Sequence, residues 1–157
     1  MKKIPLSQGE YAFVDDEDFD IVKDIKWHLF NHPSGNKYAR GHIKIEGKYH
    51  NVYMHRFIMK PEAKILIDHK DGNGLNNCRS NLRYCTRSQN NSNSLYVQAK
   101  CGLRGAWFNK VVKKWESHVT KDGKKYRLGY FNTKEEAHEA FVKASLKYHG
   151  EFSPYNR

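Results

Sequence analysis

The sequence predicts an α+β protein: a two-strand-plus-helix core with a β-rich N-terminal extension, then a three-stranded antiparallel sheet packed on one helix. Three observations carry this. Residues 65–67 and 82–86 are short apolar runs on either side of a Gly/Asn-rich loop, and a polar segment of helical character follows. Residues 102–131 form three alternating segments with tight turns between them, and residues 133–148 switch to a helical period. Before position 56, strand-like segments are set apart by turns rich in Pro, Gly and Asn.

In chain order, residues 4–14 alternate and carry Tyr11, Phe13 and Val14, which predicts a short strand or hairpin. Asp15 or Asp16 can cap a helix running to about Leu29, because Phe19, Val22, Ile25 and Trp27 recur near helical spacing. Pro33 and Gly35 mark a turn. Residues 37–45 and 48–56 read as two strands around Glu46-Gly47, and Arg56 begins a short helix that stops at Pro61. Residues 65–67 form a strand leading into Asp68-His69, residues 82–86 form its partner, and residues 87–93 a polar helix. Residues 96–100 are the expected linker, dividing a first domain, 1–95, from a second, 101–157. In the second, strands are expected at 102–110, 114–121 and 125–131. Thr133 and Glu136 form a capping box, Ala137, Ala140, Phe141, Ala144 and Tyr148 mark one helix face, and Gly150 ends the helix. So small a unit buries little core, which makes Trp107, Trp115, Phe131, Phe141 and Phe152 its expected anchors.

The chain has 157 residues and a net charge of +11. That excess favours a polyanionic partner, most simply nucleic acid, over a soluble basic protein without one. It is uneven: residues 96–157 hold 13 Lys/Arg against 6 Asp/Glu, while the first stretch carries an acidic cluster around Asp15, Asp16, Glu17, Asp18 and Asp20. The three cysteines form no Cys-x-x-Cys pair, which argues against a disulfide framework or a zinc knuckle and for a reducing compartment. Gln8, Gly9 and Glu10 interrupt any signal-peptide core after Lys2-Lys3, and no run approaches a membrane span. A cytoplasmic, DNA-associated protein is expected.

The chemistry concentrates in residues 68–83. Asp68 can hold a hard divalent cation, an Asn one helical turn into the following helix can return to it, and His69 has the pKa to take a proton from water near neutral pH. Together these suffice for metal-assisted phosphodiester hydrolysis. Asp68-His69, Asn81 and Asn90, with Met54-His55-Arg56 ahead of them, resemble the His-Asn-His (HNH) nucleases, specifically the His-Asn-Asn variants among phage and intron-encoded homing endonucleases. The resemblance covers about Tyr53 to Asn93. It implies two strands and a helix around one metal, with Asp68 and Asn90 as ligands and His69 as general base. Asn81 would brace the loop and orient His69. Asn90 in place of a third His favours Mg²⁺ or Mn²⁺, one ion per active site, over Zn²⁺ or Ni²⁺. His55 is read equally as a structural hydrogen-bonder or a phosphate contact, and His28, His32, His42 and His50 as ordinary strand or surface residues. Arg56, Arg79, Arg83 and Arg87 are expected on backbone phosphates.

The C-terminal unit, through Gly102-Leu103-Arg104-Gly105-Ala106-Trp107, Lys114-Trp115-Glu116-Ser117-His118-Val119, Leu128-Gly129-Tyr130-Phe131 and Glu135-Glu136-Ala137, resembles the plant Apetala-type (ethylene-response-factor) DNA-binding domain. That resemblance implies a sheet laid in the DNA major groove, which admits a β-ribbon. With Trp115, Val119 and Leu128 facing the helix, Glu116, His118, Lys125 and Arg127 face outwards, joined by Arg104, Trp107, Asn109 and Lys110. Lys125 and Trp107 stand where the plant proteins carry arginine, so base specificity does not transfer. The expected function is a free-standing homing-type endonuclease of phage or bacterial origin, acting on double-stranded DNA as monomer or homodimer. A DNA-binding regulator without cleavage activity is the rival.

Overall fold

The computed structural model describes residues 1–33, 35–94 and 101–156, so the expected linker at 96–100 lies outside the described residues. The fold mixes small antiparallel sheets with four α-helices among the described residues, and the chain packs as two compact units, residues 1–85 and 86–157. None of these helices is long and apolar enough to cross a membrane.

The first unit opens with a hairpin of β1 (Lys2–Pro5) and β2 (Tyr11–Val14), which buries Ile4, Ala12 and Val14. Helix α1 (Asp16–Val22) follows. It ends seven residues before the expected Leu29, and residues 27–31 are instead strand β3 (Trp27–Asn31). Trp27 and Leu29 alternate with His28 and Phe30, and that two-residue period decides the outcome. Trp27 lies opposite Gly41 and Leu29 opposite Ala39, so both large side chains are buried over the small residues of the next strand. Any Cβ at Gly41 would press on the Trp27 ring. The Trp27 indole also donates to the carbonyl of Val22 at 2.9 Å, fixing the α1–β3 corner.

Strands β4 (Lys37–Ile45) and β5 (Lys48–Tyr53) complete a three-stranded sheet in the order β3-β4-β5. Helix α2 (Met54–Met59) begins two residues earlier than expected and buries Met54, His55 and Ile58. The core of this unit joins the hairpin, α1, β3 and α2 through Val14, Val22, Trp27, Leu29, Met54 and Ile58. The unit ends in the antiparallel pair β6 (Leu66–His69) and β7 (Leu82–Cys85), joined by the 70–81 loop.

The second unit begins with α3 (Arg87–Ser92), opened by a capping box between Thr86 and Gln89 that satisfies two backbone N–H groups. Its sheet has the order β10-β9-β8, from β8 (Trp107–Asn109), β9 (Lys114–Lys121) and β10 (Lys124–Phe131). The first of these is much shorter than the expected 102–110. Gly102 and Gly105 both take positive φ, which bends 102–106 into a turn, and a Cβ at Gly105 would run into Phe141. Helix α4 (Lys134–His149) has the expected Thr133/Glu136 capping box and ends at Gly150 with φ 53°. It buries Ala137, and it packs Phe141 and Ala144 with Val119 and Leu128. Trp107 is no anchor: it is 40% exposed and stacks on His118, with ring centroids 4.1 Å apart.

Candidate active site

Asp68 and His69 are the last two residues of β6, within the strand rather than after it. Asp68 lies opposite Arg83 and His69 opposite Leu82, so the two side chains leave the ladder on opposite faces. Both are buried, at 6% and 5% exposure. Arg83 donates to Asp68 Oδ2 through Nε at 2.9 Å and Nη2 at 2.7 Å. This is a cross-strand ion pair with little water around it. The guanidinium expected on a phosphate is thus inside the site, holding its carboxylate.

The 70–81 loop is built around Asp71. Its Oδ1 accepts from the Asn73 backbone at 2.8 Å and from Asn81 Nδ2 at 3.0 Å, and its Oδ2 accepts from Asn76 Nδ2 at 2.8 Å. Asn81 in turn accepts from the Asp71 backbone at 3.0 Å and donates to the Asn76 carbonyl at 2.8 Å. Bracing of the loop by Asn81 therefore runs through Asp71 and Asn76. The loop is also sewn to β2: Phe13 donates to Leu75 O at 2.8 Å, and Asn77 N donates to Phe13 O at 2.7 Å. Gly74 lies against β4, where any Cβ would collide with the Lys37 carbonyl and the Tyr38 ring.

The loop's far end is held by the acidic helix. Arg79 forms a two-pronged ion pair with Asp18 at 2.7–2.8 Å, and its backbone N–H donates to Asp15 Oδ2 at 2.7 Å. Asp15, Glu17 and Asp18 lie close together, and Arg79 is the cation among them. The Arg79 guanidinium thereby clamps the loop to α1. Arg56, similarly, donates to the Ile65 carbonyl at 3.0 Å, bridging α2 to the start of β6.

His69 sits among rings. Its centroid is 5.0 Å from His55, edge to face, and 5.9 Å from Tyr38. Burial pushes the His69 pKa down, while polar contact with Asn77 and the charges of Asp71 and Asp68 pull the other way. Burial, helped by His69 and Arg56, drives His55 down to about 3, so it is neutral at physiological pH. His55 stacks on Tyr53 at 5.5 Å, and its Nδ1 has no hydrogen-bond partner among the described residues. Sequence reasoning gave Asn77 and Tyr38 no role. Asn77 was hidden in a run of loop asparagines, and nothing local ties Tyr38 to a position thirty-one residues on.

Asn90 belongs to the second unit, on α3. Arg87 is exposed at the first position of that helix. On the sheet, Trp107 pairs with Glu116 and His118 with Arg127, and Asn109 and Lys125 occupy the same face by register. Glu116 meets Arg127 at 3.6 Å and Asn109 Nδ2 at 3.4 Å, Arg127 lies over Tyr130 at 4.2 Å, and Lys110 is exposed in the following turn. Arg104 departs from the expectation. It precedes β8, is half-buried over the Phe141 ring at 5.5 Å, and donates weakly to the carbonyls of Asn91 and Ser92. It lies in the turn made by Gly102 and Gly105, and burial lowers its pKa.

Comparison with known proteins falls on the same segment. The family model described as HNH endonuclease matches residues 52–92, which take in α2, β6, the loop, β7 and α3. An uncharacterized HNH endonuclease of Acanthamoeba polyphaga mimivirus is 30% identical over 156 residues, covering 96% of this chain and 76% of the viral protein. No solved structure matches. Identity extends across both compact units and the matched segment coincides with the Asp68-His69 strand pair, so this chain belongs to the HNH endonuclease family.

Proposed function

We propose that the protein is a metal-dependent DNA endonuclease of homing type, with His69 as general base. The observation that carries this is the buried, neutral-leaning imidazole of His69 beside the Asp68 carboxylate, at the end of a strand whose loop is locked by Asp71 and Asn81. Asp68 and Asn90 would hold one Mg²⁺ or Mn²⁺ ion. A carboxylate and an amide oxygen are the hard donors these ions take, with water and substrate oxygens completing the shell. When bound, such an ion supplies charge neutralisation at the phosphate undergoing attack. His69 accepts a proton from the attacking water, and the products are a 5′-phosphate and a 3′-hydroxyl.

The C-terminal unit is read as an Apetala-type DNA-binding module at 101–157, joined to a nuclease segment at 1–95. Its three-stranded sheet on one helix supports that reading, as does an outer face carrying Trp107, Asn109, His118, Lys125 and Arg127. Arg87 and Lys110 would add phosphate contacts, while Arg56, Arg79, Arg83 and Arg104 hold the fold. Double-stranded DNA is the proposed substrate, met in the cytoplasm of a bacterial or phage-infected cell by a monomer or homodimer.

Supercoiled plasmid tests the proposal directly. Incubation with Mg²⁺ or Mn²⁺ is expected to give nicked or linear product, and chelator is expected to stop it. Cutting that persists in chelator would overturn the single-metal reading. Binding without any metal-dependent cutting would instead make the protein a DNA-binding regulator.

A further inference from the structure

One side of the β3-β4-β5 sheet packs the core, and the other has no role in the nuclease reading. Register places Phe30 opposite Tyr38, Arg40 opposite Tyr53, His42 opposite Asn51 and Lys44 opposite Tyr49 on that outer side. The face is continuous with the site. Phe30 contacts Tyr53 at 5.8 Å, Tyr53 contacts Tyr38 at 5.9 Å, and Tyr38 contacts His69 at 5.9 Å, so a chain of rings leads from the sheet to the general base. Cationic side chains lie over it. The Arg40 guanidinium sits 5.0 Å above Phe30 and donates to Asn51 at 3.3 Å, and Lys44 lies 6.0 Å over Tyr49.

Charge sharpens the reading. Residues 25–60 hold seven Lys/Arg and a single acid, Glu46, whereas residues 1–24 hold three against seven. Seven of the eleven acids of the first unit thus lie in its opening segment, and the segment that builds this sheet is almost purely cationic.

We propose that the outer face of β3-β4-β5 is a duplex-DNA platform that delivers the scissile strand to His69. Arg40 and Lys44 neutralise backbone phosphates, and His42 and Asn51 face base edges. The occupant follows from charge complementarity and from continuity with the catalytic strand. The antiparallel β4-β5 pair is a two-stranded ribbon of the kind the major groove admits, and it carries Arg40, His42, Lys44 and Asn51. This deepens the nuclease proposal and rests on it for the direction in which the strand runs.

The test is binding of full-length protein to labelled mixed-sequence duplex DNA in chelator, so that no cutting intervenes. The paired variant Arg40→Gln/Lys44→Gln is expected to bind about tenfold more weakly. Its log–log salt slope should be shallower by about 1.8, at roughly 0.9 for each phosphate no longer neutralised. The charge-matched variant Lys2→Gln/Lys3→Gln, on β1, should bind like the parent. Urea midpoints for both variants establish that they fold. Parent-like affinity in the Arg40/Lys44 variant, or an equal loss in the Lys2/Lys3 variant, would overturn the platform. So would weakened binding to single-stranded DNA with duplex binding intact, which would assign the face to unpaired bases. Failure of the nuclease reading would appear separately, as absent Mg²⁺-dependent cutting by a parent protein that still shows these binding differences.

Discussion

At His69 burial and charge act in opposite directions, and the balance sets what the residue can do. Burial favours the neutral ring, the form that can accept a proton, while Asn77, Asp71 and Asp68 favour the protonated one. His69→Ala should lower cleavage by about 10²–10⁴ while duplex affinity in a gel shift stays near that of the parent. Collapse of binding together with activity would make the ring structural. Asp68 needs a gentler probe. Truncation to Ala strips the carboxylate from a buried guanidinium, a change costing about 3–5 kcal/mol. Asp68→Asn keeps the volume, and it should raise the metal concentration needed for half-maximal cutting without a matching fall in DNA affinity. His55 bears on stability. Its folded pKa of about 3 lies below the ordinary 6.5, so the unfolded chain takes up a proton that the folded chain refuses. Its contribution is whole above pH 6.5 and is lost as pH falls toward 3, with a slope of at most about 1.4 kcal/mol per pH unit. Urea midpoints from pH 7.5 to 4.5 should decline, and His55→Asn should flatten that decline. An unchanged slope would mean the imidazole titrates normally.

Elements show where sequence patterns suffice and where tertiary contact decides. Helix α4 was legible down to its ends, because Thr133, Glu136 and Gly150 act locally. So were the turn at Glu46-Gly47 and the β9–β10 turn at Asp122-Gly123, whose central residues take positive φ. Strand β3 was not. Trp27 and Leu29 satisfy a helical spacing from Phe19 as well as a strand alternation, and only Gly41 and Ala39 across the sheet make room for them. The Thr86/Gln89 box was equally local but lay in a polar run without apolar periodicity to draw notice. In the site, Asp68, His69 and Asn81 stood out as residue types, yet the partners that define their chemistry come from β4, α2, β7 and the loop interior. The two capping boxes offer a matched test. Thr133→Ala should cost about 1 kcal/mol in urea unfolding and leave the metal requirement unchanged. Thr86→Ala loosens the helix that carries Asn90, so it should raise the Mg²⁺ concentration needed for cutting. Equal metal midpoints in the two variants would remove Asn90 from the ligand set.

Over the whole molecule, the net charge of +11 resolves into local excesses. In the second unit the outward Lys125 and Arg127 stand on a sheet face with Trp107 and His118. Lys125→Gln/Arg127→Gln should weaken duplex binding and shift preferred cut sites on a long substrate, with the plasmid nicking rate at saturating protein nearly unchanged. An unaltered cleavage map would leave that sheet as a fold without a reading role. The loop between β6 and β7 carries a different consequence, for recombination between nucleases. Gly74 is pressed on β4, Asn77 is bonded to Phe13 and Arg79 is gripped by Asp15 and Asp18, all upstream of the matched 52–92 segment. The motif is therefore not a transplantable cassette. A chimera that imports residues 52–92 into another scaffold inherits the reacting groups without the struts that hold them, and the smallest heritable block of this nuclease reaches back to its N-terminal hairpin.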